Sequence, residues 1–151
     1  MNPNEWNERS GPGANAKRQL PRMMSDYFVE VREALRAKVS PAKLHKIRLA
    51  GKKARYTLEL FRQCYGPGFD ERLDALKNVQ TALGEVNDAV AAAGLIRGSM
   101  PQSPRRKALR DYLKKRAAEK AEQFRLHWME TFDAEGQERL WLEVLRKPRV
   151  K

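Results

Sequence analysis

Four basic residues recur at the spacing of one helix face: His45, Arg48, Lys52 and Arg55. With successive residues about 100° apart, as in an α-helix, they share a stripe roughly 100° wide with Tyr56 and Glu59. Ile47, Ala50, Ala54, Leu58, Phe61 and Tyr65 occupy a different sector. The segment therefore predicts a core face and a separate basic ladder. From His45 to Arg55 the ladder spans about 15 Å at about 1.5 Å per residue, which suits several anionic groups in a row. Arginine offers a planar fork of donors matched to phosphate oxygens, and lysine a mobile point charge, so the pair suits a repeating anion better than one small ligand. Glu59, four residues after Arg55, is placed to pair with it and fix its direction. The competing reading is plain solvation, because Lys and Arg are abundant on exposed helix faces.

A second stripe carries Lys77, Gln80, Gly84, Asn87 and Asp88 beside the apolar positions Leu76, Val79, Leu83, Val86, Val90 and Ala93. Polar stripes on two neighbouring helices predict a lined groove. Glycine inside a helix costs about 1 kcal/mol against alanine, so Gly84 predicts a close helix approach. A bare carboxylate at Asp88 would repel phosphate, and it is expected to pair with a cation across the helices. Tyr56 and Tyr65 suit core or rim packing as well as ligand contact. His45, His127 and Cys64 lack metal-site spacing, since zinc needs about four convergent ligands, and neither a metal nor another cofactor is expected. His45 reads instead as an anion contact or an orienting hydrogen-bond partner. Cys64 reads as a small hydrophobe. A further basic cluster, Arg105, Arg106, Lys107, Arg110, Lys114, Lys115 and Arg116, is spread around its helix and reads mainly as solvated surface.

The elements that must position these stripes are all helical. The first twenty residues carry Asn, Gly and Pro without apolar periodicity and are expected to form a disordered arm, residues 1–20. A helix is predicted from Arg22 to Lys38, with Pro21 in its first turn and Met23, Met24, Tyr27, Val31, Ala34 and Leu35 on one face. Ser40 followed by Pro41 starts a second helix, expected to reach Tyr65 before the Gly66–Gly68 turn. A third runs from near Asp70 to Gly94 or Gly98. After a loop over Gly98–Gln102, Ser103 and Pro104 repeat the cap signature, and Leu109, Tyr112, Leu113, Ala117, Ala121, Phe124 and Trp128 form the next stripe. A break is expected between Asp133 and Gly136. A last piece carries Leu140, Trp141, Val144 and Leu145. Nothing reads as a strand. The expected fold is all-α, a four-helix bundle over residues 21–147 with a basic tail at 148–151.

At 151 residues the chain suits one domain. Its 31 Lys and Arg against 19 Asp and Glu leave a net charge of +12, which repels itself unless something anionic offsets it. Nucleic acid, inorganic phosphate polymers and acidic membranes are the candidate partners. The single cysteine cannot form an internal disulfide, Met1–Asn7 lacks the start of a secretory signal, and no run approaches the roughly 18 apolar residues of a membrane span. A cytoplasmic location is expected.

The run Leu44-His45-Lys46-Ile47-Arg48, through Lys52, Lys53, Arg55-Tyr56 and Glu59-Leu60-Phe61, is followed by Leu76-Lys77, Gln80, Leu83-Gly84-Glu85 and Asn87-Asp88. Together these motifs resemble the CHAD family, the conserved histidine α-helical domains. The resemblance implies two four-helix bundles with basic residues lining a central channel that binds inorganic polyphosphate, and association with polyphosphate granules. It assigns His45, Arg48, Lys52 and Arg55 to the family's basic helix and Lys77, Gln80, Asn87 and Asp88 to its second motif. This chain has length for one bundle and one motif copy, half of the full domain, so a homodimer completing the channel is expected. Three functions follow in order: a polyphosphate-binding module without catalysis, a nucleic-acid-binding basic protein, and a phosphate-processing enzyme that would need further acidic residues to hold Mg²⁺.

Overall fold

The computed structural model describes residues 6–36 and 38–150. They form five α-helices and, among the described residues, no strand: α1 (Pro12–Arg36), α2 (Pro41–Leu60), α3 (Phe69–Ser99), α4 (Pro104–Glu130) and α5 (Gln137–Leu145). The two Ser-Pro starts act as predicted. Ser40 Oγ accepts from the Lys43 amide at 3.3 Å and Ser103 Oγ from the Arg106 amide at 3.1 Å, each satisfying an N–H that has no partner within its helix. Gly136, at φ 80°, turns the chain from the end of α4 into α5, a left-handed conformation that glycine adopts without a Cβ clash.

Helix α2 lies between α1 and α3, α4 packs along α3, and α5 packs on α1. The best-buried layer is aromatic. Trp128 stacks on Phe132 at 4.7 Å, Phe132 on Trp141 at 5.5 Å, and Phe28 meets Trp128 at 5.5 Å, tying α1, the end of α4 and α5 together. Asp133 fixes that junction. It accepts from Trp128 Nε1 at 2.8 Å and from Arg32 Nε at 2.7 Å, and Arg32 also reaches Glu138 at 2.7 Å. Trp128 and Trp141 are both buried in this layer.

Residues 12–20 of the expected disordered arm are helical. Helix α1 starts at Pro12, and Ala16 and Leu20 are fully buried. Asn15 organises the turn before the helix: its side-chain nitrogen donates to the carbonyls of Asn7, Ser10 and Gly11, and its oxygen accepts from the Asn7 amide at 2.9 Å. Trp6, 39% exposed, rests on Phe61 at 6.0 Å. Residues 1–5 of the expected arm lie outside the described residues. Pro21 falls inside the helix rather than at its start. It removes one backbone hydrogen bond, and the burial of Leu20 and Met24 on either side carries the helix through. The signal was present: Ala16, Leu20 and Met24 extend the apolar stripe backwards at spacings of four.

Three further differences bear on the site. Helix α2 ends at Leu60 and passes through a 3₁₀ turn, Arg62–Cys64, instead of continuing to Tyr65. The close approach of helices is at Gly51, where an added Cβ would lie 3.3 Å from Tyr27 Oη, and not at Gly84, which has nothing within 4 Å. The α4 stripe is only partly a core face. Phe124 and Trp128 are its buried residues, whereas Leu109 and Tyr112 are 38% and 59% exposed. The reason is length. The buried residues of α3 stop at Ala89, so its last ten residues, about 15 Å, project with the first half of α4 as a two-helix hairpin beyond the bundle. The expected basic tail folds back, with the Arg149 amide donating to the Cys64 carbonyl at 2.7 Å; Lys151 lies outside the described residues.

Candidate anion-binding groove

Helix α2 presents its two sides to different neighbours. On one flank Lys46 Nζ lies 3.9 Å from Glu30 of α1. On the other, Arg55 and Glu59 line a cleft of about 410 Å³ with Arg62 and with Leu73, Asp74 and Lys77 of α3. The Arg55 end of the basic ladder therefore borders α3, and the cleft joins this last rung to Lys77, the first residue of the second stripe.

Arg55 is the rung with built supports. Its Nη1 is 3.5 Å from Glu59 Oε1, the pairing expected from their spacing, and its guanidinium lies 4.8 Å over the Tyr56 ring. The Arg55 side chain is 19% exposed and its Nε has no hydrogen-bond partner among the described residues. Tyr56, 52% exposed, is a rim residue. His45 is exposed, and Arg48 and Lys52 are half-buried. Among the described residues these three make no ion pair or hydrogen bond. Gln80 and Asn87 are half-buried along α3.

Asp88 departs from expectation. It is exposed and has no cation partner among the described residues; the ion pair from this part of α3 to another helix is Glu85 with Lys120 of α4 at 3.0 Å. A carboxylate that water already solvates gains little from pairing, so nothing draws a cation to it.

Sequence reasoning missed the acidic end of the cleft. Arg62 Nε pairs with Asp70 at 2.8 Å, and Asp70 and Asp74 line the same space as Lys77. Extending the Lys77 stripe one and two turns towards the helix start would have found both. Here three cations, Arg55, Arg62 and Lys77, meet three carboxylates, Glu59, Asp70 and Asp74. The uncompensated charge of the ladder therefore lies towards Arg48 and Lys52.

Among the described residues no three His, Cys, Asp or Glu side chains group as metal ligands would. Tyr65 belongs to the packing: its hydroxyl donates to the Leu145 carbonyl at 2.8 Å and its ring stacks on Phe69 at 4.6 Å. Cys64 is buried, and desolvation pushes its thiol above the usual range. A thiol reagent at neutral pH should modify it slowly in the native protein and rapidly in denaturant, as followed by mass spectrometry. Fast native labelling would contradict this burial.

Fold and site define an all-helical module with a basic stripe bordering the joint between two helices. The chain belongs to the CHAD domain family, whose model matches residues 3–97. No curated protein and no solved structure matches it. No helix among the described residues is long and apolar enough to cross a membrane.

Proposed function

We propose that this chain binds inorganic polyphosphate along α2, with His45, Arg48, Lys52 and Arg55 as successive contacts and Lys77 on the opposite wall. Tyr56 and Glu59 hold Arg55 in place, and Gln80, Asn87 and Asp88 form the polar wall of α3. One observation supports this reading: Arg48 and Lys52, on the same helical face as Arg55, have no carboxylate partner among the described residues, whereas Lys46 on the α1 flank has one. Unneutralised cations at helical spacing favour a repeating anion, and release of the polymer's counterions supplies much of the driving force.

Binding rather than cleavage fits the carboxylates. Glu59 and Asp70 are held by Arg55 and Arg62, so their charge is already spent on orienting cations. The CHAD family's polyphosphate association supports the same reading. The test is titration with polyphosphates of defined length at several salt concentrations. By analogy with nucleic acids, each phosphate contact contributes roughly 0.7 to 0.9 to the slope of log K against log salt, so four to five contacts give a slope between about −3 and −4.5. A slope near zero, displacement of polyphosphate by duplex DNA at equal phosphate, or phosphate release with Mg²⁺ would each overturn the reading.

A further inference from the structure

The groove leaves most of the chain's positive charge unexplained. Between Ala89 and Arg116 eight Lys and Arg stand against the single Asp111, so seven of the twelve net positive charges fall in this stretch. That stretch is the projecting α3–α4 hairpin, and the residues after Arg97 lie beyond those matched to the CHAD family.

Three of these eight cations meet at one place. At the hairpin tip Arg106, Lys107 and Arg110 line a cleft of about 430 Å³ with Gln102, Ser103 and Pro104. Arg106 is anchored: its Nη2 donates to the Arg97 carbonyl at 2.6 Å, across the hairpin on α3. Arg110 Nε is buried and has no hydrogen-bond partner among the described residues, a donor left over where donors are normally satisfied. Among the described residues no carboxylate lines the cleft, in contrast to the α2–α3 cleft, where cations and acids balance. The first turn of α4 holds no acidic residue although it carries Arg105, Arg106 and Lys107, so their mutual repulsion adds to the unfavourable end of the helix dipole. A bound anion relieves both.

We propose that this cleft is a second phosphate-binding site, separate from the α2 groove, in which Arg106, Lys107 and Arg110 take a terminal or bridging stretch of a short polyphosphate. Arginine forks four residues apart, at Arg106 and Arg110, lie on one helix face and can grip tetrahedral phosphate oxygens, and Lys107 adds a mobile charge.

Calorimetry with tripolyphosphate tests this on the full chain, using the wild type, an Arg106→Gln/Lys107→Gln/Arg110→Gln variant and an Arg48→Glu/Lys52→Glu/Arg55→Glu variant. The expected result is two equivalents bound by the wild type, one lost in each variant. A single equivalent lost only in the hairpin variant keeps the tip site and removes the groove. A stoichiometry that the hairpin variant leaves unchanged overturns the tip site. Circular dichroism checks that each variant is folded. Should the hairpin triple variant not fold, Lys107→Glu at an exposed position decides, with the tip equivalent weakened about tenfold and the groove equivalent unchanged. Unchanged affinity in that variant also overturns the site.

Discussion

Reversal of charge at Arg48, Lys52 and Arg55 to glutamate is expected to weaken polyphosphate binding at about 0.15 M salt by a hundredfold or more. Three lost contacts, each worth roughly 0.8 of log-log slope, remove about two logarithmic units relative to 1 M salt, and the introduced carboxylates add repulsion. The same variant should show a salt slope shallower by about 2 to 3. Its fold should survive, because the ladder is separate from Ile47, Ala54 and Leu58, which close the core. Arg55 is the position to watch, since its stack on Tyr56 and its pair with Glu59 would both be lost. Arg55→Lys retains a charge but lacks the planar fork, and its intermediate affinity would separate geometry from charge. Equal affinities for the wild type and the triple variant would place the polymer elsewhere on the molecule.

The largest effect on stability is expected at Trp128. Trp128→Ala should cost about 3 to 5 kcal/mol, from lost apolar burial and the cavity left behind. The ring is fully buried between Phe28, Phe132 and Tyr27, and its Nε1 satisfies Asp133. For a chain of this size that shifts the midpoint of thermal unfolding down by about 10 °C or more. Trp128→Phe should cost less, because it retains stacking and loses the Asp133 hydrogen bond. Thermal unfolding read by far-ultraviolet circular dichroism measures both. A loss below about 1 kcal/mol for the alanine variant would mean that the aromatic layer does not hold α1, α4 and α5 together.

These two residue groups differ in how visible they were beforehand. The ladder was legible because a helix fixes the angle between its side chains, so His45, Arg48, Lys52 and Arg55 must share a face wherever the helix packs. The pairing of Arg55 with Glu59 followed from spacing alone. The starts of α2 and α4 were legible because a serine cap and a proline act within one turn. The start of α1 runs against its composition. Its Asn, Gly and Pro content argues against a helix, and the residue that overrides this, Asn15, works by gathering carbonyls from the preceding turn.

Composition and periodicity by themselves determined that the chain is all-helical, that α2 has a basic face apart from its core face, and that the net charge is strongly positive. Only the tertiary structure decided which neighbour that face would border, that Asp70 and Asp74 would balance its lower end, and that α3 and α4 would outrun the bundle and carry a second basic cleft at their tip. The division has a physical cause. Side-chain angles about a helix axis are set by local geometry, whereas pairing of helices and the lengths left unpacked depend on burying apolar surface contributed by residues distant in sequence.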